Sequence, residues 1–229
     1  MTSERLVLFD IDGTLLSTTG HGVEAMMLAY TAVWGRDPRQ VAYSMSGKTE
    51  RRISFELLEK LGFSREEVEP RLSDWFELYP RELEKCIAPE TTRVFPGVRE
   101  LVEAVSNEPN LVLGLLTGNC EAAAKIKLDT AGLNGFQVGA FGEHHEDRAD
   151  LVPLAIRAAQ RTLGRNFSEA SIMVIGDTPN DSHCGKASGA STIAVATGRY
   201  TADELATHDP DHVFESFAEV DAVLEALRA

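Results

Sequence analysis

Three short segments carry the residue types that could do chemistry: Asp10-Ile11-Asp12-Gly13-Thr14, Thr117-Gly118-Asn119 and Gly176-Asp177-Thr178-Pro179-Asn180-Asp181. Together they hold four aspartates and three threonines among further polar groups. Any one segment alone could be a turn or a helix cap, where Asp, Asn and Thr are common. Gathered at one place, their carboxylates would repel one another and stay ionised only around a cation. With oxygen donors and neither His nor Cys in the three segments, the ion expected is hard, Mg²⁺ first. Magnesium bridges readily to phosphate. A carboxylate beside it can attack phosphorus, because the metal offsets the charge that develops. A second carboxylate two residues away can give a proton to the leaving oxygen and then take one from water.

Each segment follows a short apolar run. Arg5–Phe9, Leu111–Leu116 and Ser171–Ile175 precede the three segments, and Phe136–Phe141 and Thr192–Ala196 are similar runs. All five read as strands buried on both faces. Helical periodicity lies between them: Val98, Leu101, Val102, Val105, and Val152, Ala155, Ile156, Ala159. In the tail, Phe217, Val220, Val223, Leu224 and Leu227 follow a capping box of Ser216 and Glu219. Strands alternating with helices predict an α/β fold with a Rossmann-like parallel sheet and helices on both faces. Such sheets bind ligands beyond the carboxyl ends of their strands, where the three segments fall.

From about Thr18 to Thr92 the alternation stops and only helical patterns remain. The first runs through Val23, Met26, Met27, Tyr30, Val33 and Trp34, and the second through Ile53, Leu57, Leu58 and Leu61. The third opens with a capping box of Ser64 and Glu67 and continues to Tyr79, with Pro80 expected to end or kink it. Both tryptophans fall in this stretch, which suits a small core of its own. The expected organisation is a core domain of residues 1–17 and 93–229 with an all-helical insertion at 18–92. Hinges are expected near Leu16–Gly20 and Thr91–Pro96.

Charge narrows the partners. Twenty-two Lys and Arg against 36 Asp and Glu give a net charge of −14, which opposes binding to nucleic-acid backbones or anionic lipid. An anionic substrate must then be held by local positive charge or a metal. The longest apolar run, Leu111–Leu116, is far short of the roughly 20 residues that span a bilayer. The N-terminus shows no signal-peptide pattern, so a cytoplasmic location is expected. Three widely spaced cysteines, Cys86, Cys120 and Cys184, fit reduced thiols.

The three polar segments resemble three of the four motifs of the haloacid dehalogenase-like (HAD) hydrolases. The helical insertion resembles that superfamily's C1 cap, and the subgroup most resembled is the phosphoglycolate phosphatase type. The resemblance spans essentially the whole chain. It implies that Asp10 is the nucleophile, forming an aspartyl-phosphate, and that Asp12 is the general acid/base. It implies that Asp10, Asp177 and the backbone carbonyl of Asp12 hold Mg²⁺, with Asp181 supporting them as a further ligand or from behind. Thr117, with neighbouring backbone N–H groups around Gly118 and Asn119, would bind the transferring phosphoryl, and Thr14 joins the substrate-binding set.

The family's third motif is a lysine ahead of the last of these strands, and no lysine occurs between Lys127 and Lys186. Arg148 stands in its place and could pair with both a phosphoryl oxygen and the nucleophile. The plainer alternative is a surface arginine paired with Asp147 or Asp150. Lys125 and Lys127, two turns into the helix after Asn119, are expected to point away from the site.

Other motifs carry less. Ser46-Gly47-Lys48-Thr49 lacks the earlier glycine and the strand of a P-loop. In C1-capped relatives the corresponding loop contacts the leaving group, which makes Lys48 and Thr49 candidate substrate contacts against a solvated turn. Gly20-His21-Gly22-Val23-Glu24-Ala25 fits GxGxxA but starts ten residues after the strand, so it is set aside as a dinucleotide site. His144-His145 reads as an exposed loop rather than a metal site. Cys120 and Cys184 read as buried thiols.

The function expected is a Mg²⁺-dependent phosphatase acting on a small, phosphoglycolate-like phosphomonoester. Dehalogenases of the family lack the second aspartate that Asp12 supplies. A phosphomutase of the β-phosphoglucomutase type shares both aspartates and stays open, as does phosphonate hydrolysis if Lys48 formed a Schiff base. So does a catalytically weak protein that senses phosphometabolites. No coiled-coil heptads that would mark an oligomer appear.

Overall fold

The computed structural model describes residues 4–229. Its centre is a six-stranded parallel sheet. In chain order the strands are β1 (Arg5–Phe9), the short pair β2 (Leu16–Ser17) and β3 (Arg93–Val94), β4 (Leu111–Thr117), β5 (Val138–Phe141), β6 (Ile172–Gly176), β7 (Ser191–Val195) and β8 (His212–Phe214). The sheet order is β5-β4-β1-β6-β7-β8. Leu6 to Phe9 are fully buried, as a central strand covered on both faces requires.

The helices are α1 (His21–Trp34), α2 (Glu50–Lys60), α3 (Arg65–Val68), α4 (Leu72–Cys86), α5 (Val98–Asn107), α6 (Glu121–Ala131), α7 (Leu151–Leu163), α8 (Pro179–Ala187), α9 (Ala202–Ala206) and α10 (Val220–Arg228). Two apolar clusters cover the sheet's faces. One joins β1 to α5, α6 and α10 through Phe9, Leu101, Leu128 and Leu227. The other joins it to α7 and α8 through Leu8, Val152, Ala155 and Cys184.

The order of strands explains why segments far apart in sequence meet. β1 lies between β4 and β6, with Phe9 in register with Leu115 on one side and Ile175 on the other. The residues leaving these three strands therefore emerge side by side at one edge. Asp10, Thr117 and Asp177 are those residues.

Helices α1 to α4 sit between β2 and β3, which pair antiparallel through Leu16–Val94 and Ser17–Arg93 and tie together the two chain crossings into the insertion. Tyr30, Trp75 and Tyr79 stack at the insertion's centre, with ring centroids 4.7 Å and 5.0 Å apart along the column. Such contacts contribute about 0.5–1.5 kcal/mol each beyond their buried area. This apolar cluster is continuous with the sheet domain through Cys120 and Ala123, so the insertion's core is shared rather than its own.

Several local expectations are corrected. β8 and the β2–β3 pair carry no sequence signal, being two or three residues long and only partly buried. The Ser64–Glu67 capping box forms, but α3 gives way to a 3-10 turn at Glu69–Arg71 that contains Pro70. α4 runs through Pro80 to Cys86 rather than ending there. The Ser216–Glu219 box does not form. Ser216 Oγ accepts from Ala218 N instead, and α10 starts at Val220.

Candidate active site

Asp10 follows β1 directly, with its backbone N–H donating to Ile175 O at 2.9 Å, so the strand's own ladder fixes where its carboxylate starts. Asp177 leaves β6, and Asp181 lies in the first turn of α8. Asp181 Oδ2 accepts from Thr178 N (3.0 Å) and Thr178 Oγ1 (2.6 Å), a capping box that holds the carboxylate at the strand edge. One carboxylate oxygen each from Asp10, Asp177 and Asp181 lies within 4.8 Å of the other two, and all three residues are buried.

Arg148 enters this cluster from the 3-10 turn Arg148–Asp150, which Asp147 caps through Ala149 N. Its guanidinium, 6% exposed, lies 3.2 Å from Asp10 Oδ1 and 2.7 Å from Asp181 Oδ1, and donates to Leu116 O at 2.9 Å. A surface pairing with Asp147 or Asp150 is not what the geometry shows. Three carboxylates against one guanidinium leave two negative charges uncompensated in a buried place. One divalent cation would neutralise them, so the donor set fits Mg²⁺.

The proton affinities agree. Burial pushes Asp10 up to about 6 against the pull of Arg148, with Asp181 and Asp12 adding to the rise. Burial, then Asp181 and Asp10, hold Asp177 well above the usual carboxylate range. Burial opposes the charge on Arg148, but Asp10 and Asp181 outweigh it and keep the guanidinium firmly protonated.

Asp12 takes a different course. Its side chain is 42% exposed, and Oδ2 accepts from Lys127 Nζ at 2.6 Å and Asn119 Nδ2 at 2.7 Å. The carboxylate is thus directed away from the acidic trio, which leaves only the Asp12 backbone for a shared cation. Lys127 also donates to Asn119 Oδ1 at 2.5 Å and is 4% exposed. The expectation that Lys127 points away is therefore wrong. Lys127 shares the buried face of α6 with Ala123, Ala124, Leu128 and Ala131. A lysine inside an apolar stripe was the available signal.

The remaining candidates divide. Gly118 and Asn119 line the cavity beside the cluster, and Thr117 Oγ1, fully buried, accepts from Asn119 N and Nδ2. Thr14 is fully buried and donates to Asp177 Oδ1 at 3.1 Å, so it orients a carboxylate rather than facing a substrate. Thr49 is likewise corrected. Its hydroxyl caps α2 by accepting from Arg52 N and donates to Glu146 O, which consumes it structurally. Lys48 reaches the cavity wall, but its ammonium pairs with Glu56 at 2.6 Å and meets the Tyr43 hydroxyl at 3.2 Å. His144 and His145 lie on the Phe141–Asp150 loop, as expected, outside the acidic cluster.

The insertion closes over this edge by main-chain contacts. Glu50 N donates to Gly118 O at 2.8 Å and Arg51 N to Gly142 O at 3.1 Å, so two N–H groups at the start of α2 find partners on the sheet domain. The approach requires glycine at 118, since a Cβ there would run into the Lys48 carbonyl. Between the two layers lies a cavity of about 210 Å³ reached by Asp10, Asp12, Asp177, Lys127 and Arg148 from below and by Met26, Glu50 and Tyr79 from above. Glu50 is a residue the sequence reading missed. It is 2% exposed, its Oε2 accepts from Cys120 N at 2.8 Å, and burial pushes its carboxyl up to about 7 against the pull of Lys127.

The profile of the haloacid dehalogenase-like hydrolases matches residues 7–195, more than three quarters of the chain. The chain belongs to that family. Among curated proteins, this HAD-like hydrolase is 26% identical over 224 residues to "Probable phosphatase IndB" of Dickeya dadantii (strain 3937), covering 97% of this chain and 94% of that one. It is 24% identical over 227 residues to a phosphoglycolate phosphatase of Vibrio vulnificus (strain CMCP6), covering 96% of each. A crystal structure of a hydrolase from Pseudomonas syringae superposes with a TM-score of 0.71 at 21% identity, covering 99% of this chain and 100% of that one. The likeness in structure extends over the insertion as well as the sheet.

Proposed function

We propose that this HAD-like hydrolase is a Mg²⁺-dependent phosphatase of small phosphomonoesters. The observation that carries the reading is the buried trio Asp10, Asp177 and Asp181 with Arg148 among them, opening on a cavity whose wall includes Asp12. Resemblance to phosphatases along nearly the full chain supports it. Asp10, Asp177 and the Asp12 carbonyl would hold the ion, with Asp181 anchored by Thr178 beside them. The bound ion would neutralise the phosphoryl oxygens and the two charges that Arg148 leaves uncompensated.

In this reading the Asp10 carboxylate attacks phosphorus, the bond from phosphorus to the leaving oxygen breaks, and Asp12 supplies that oxygen's proton. The product on the protein is an aspartyl-phosphate. Asp12, now ionised, takes a proton from water. The water oxygen attacks phosphorus, the acyl-phosphate bond breaks, and Asp10 and inorganic phosphate are restored. Arg148 fixes the attacking carboxylate and offers N–H groups to the phosphoryl. Thr117 and the backbone around Gly118 and Asn119 complete the cradle. The insertion acts as a cap that excludes bulk water during the first step.

No helix among the described residues is long and apolar enough to cross a membrane. With three unpaired cysteines, two of them buried, a reducing cytoplasmic setting fits the reading. The test is phosphate release from a panel of phosphomonoesters with Mg²⁺ and with EDTA. Metal-dependent release that Asp10→Asn lowers by at least about 10³-fold, with the fold retained, is the expected result. Silence across the panel with tight Mg²⁺-dependent ligand binding would make the protein a sensor instead.

A further inference from the structure

The cavity's upper wall, which the insertion contributes, contains two polar atoms without a protein partner. Glu50 Oε1 on α2 and the Tyr79 hydroxyl on α4 are both buried and form no hydrogen bond among the described residues. Buried polar groups are almost always satisfied, and leaving one unmade costs more than making it gains. Two such atoms, on side chains that line one cavity, point to a ligand that satisfies them.

The chemistry of that ligand follows from charge. Three cationic side chains line the cavity, and each is already committed to a carboxylate: Lys127 to Asp12, Lys48 to Glu56, and Arg148 to Asp10 and Asp181. A leaving group with its own carboxylate would meet Glu50 and Asp12, while each cation on the wall among the described residues already faces a carboxylate. A leaving group with O–H or N–H donors would give the ionised Glu50 Oε1 the hydrogen bond it lacks, and a hydroxyl would also serve the protonated acid by accepting from its O–H. A substrate hydroxyl oxygen could also accept from Tyr79. The rest of the wall, with Val23, Met26, Met45 and Ile53, accommodates a short carbon chain.

Resting on the phosphatase reading, we propose that Glu50 and Tyr79 form the leaving-group subsite and select the phosphomonoester of a polyol or amino alcohol over that of a hydroxy acid. Sites built to hydrogen-bond a substrate group discriminate strongly against analogues lacking it.

The experiment compares kcat/KM for glycerol phosphate, phosphoethanolamine and phosphoglycolate with Mg²⁺. The expected result is a preference of at least about tenfold for one or both donor-bearing esters over phosphoglycolate. Glu50→Gln and Tyr79→Phe should each shrink that ratio to below about threefold. Tyr79→Phe removes only an atom with no protein partner, so it keeps the test valid if Glu50→Gln fails to fold. A preference for phosphoglycolate, or a ratio that neither substitution moves, overturns the subsite while leaving the phosphatase standing. No release from any of the three esters or from a wider panel overturns the phosphatase reading, and this inference with it.

Discussion

Lys127 Nζ lies 2.6 Å from Asp12 Oδ2, joining a lysine side chain that is 5% exposed to an aspartate side chain that is 42% exposed. The pair spans 115 positions of sequence and is steadied by Asn119, which bonds to both partners. It sets the direction of the one cavity aspartate that stands apart from the acidic trio.

Lys127→Met keeps the volume of the stem and removes the ammonium. Asp12 then loses a fixed partner, and kcat should fall about tenfold with KM changed less than threefold if, as proposed, the contact orients a proton-transfer group rather than binding substrate. Steady-state kinetics of phosphate release check this. A KM effect that dominates would make Lys127 a substrate contact.

Arg148 is the only cation touching Asp10 and Asp181 among the described residues. Arg148→Ala should lower turnover by at least about 10²-fold and, by leaving buried carboxylates uncompensated, destabilise the apoprotein by about 3–5 kcal/mol. Arg148→Lys, with a point charge in place of the planar fork, should recover part of each. Urea denaturation alongside kinetics separates the two effects. A rate loss under threefold would move the role elsewhere.

Mg²⁺ should raise thermal stability, by about 2.7 kcal/mol at a hundredfold excess over its dissociation constant. Asp177→Asn should abolish the shift. Protons compete for the same oxygens. With Asp10 pushed up to about 6 and Asp177 raised as well, the stabilisation by Mg²⁺ is largest above that pH and fades as pH falls through it. Thermal scans with and without Mg²⁺ across pH 5 to about 8 read this directly.

Glu56 anchors Lys48, Tyr43 and Arg52 on the insertion. Partial burial opposes its ionisation, yet hydrogen bonds from Lys48, Arg52 and Tyr43 win and hold it at about 2, below the ordinary 4.5. A lowered carboxyl pKa contributes stability that is present above about 4.5 and lost as pH falls toward 2. Because the group is a third exposed, the contribution is discounted to about 1 kcal/mol. Glu56→Gln should therefore cost that much near pH 7 and nearly nothing near pH 2, as measured by denaturant titration.

The parallel sheet and the helical insertion are readable from the order of apolar runs because burial on both faces leaves a continuous signal in β1, β4 and β6. The acidic segments are readable because each directly follows one of those runs. Arg148 is found by its place before β6, where the family's lysine is missing. Lys127 and Glu50 escape notice for one shared reason. Each is a charged residue in the apolar stripe of its helix, with Leu128 and Ala131 in α6 and with Ile53, Leu57 and Leu58 in α2. Periodicity marks that face as core, and only the tertiary partners, Asp12 and Cys120 N, show what the charge meets. Thr14 and Thr49 err the other way, since their hydroxyls are used up by Asp177 and by the end of α2.

The insertion is fastened to the sheet domain at Gly118 and Gly142 by main-chain hydrogen bonds, beside which the Glu50 carboxylate accepts from Cys120 N and the Thr49 hydroxyl donates to Glu146 O. The main-chain part of that seam is indifferent to the side chains strung along it. Mutation can therefore rewrite residues such as Lys48 and Tyr79, whose side chains take no part in it, without undoing the stitch, provided positions 118 and 142 stay bare. A chain so constructed can change its diet and keep its bite.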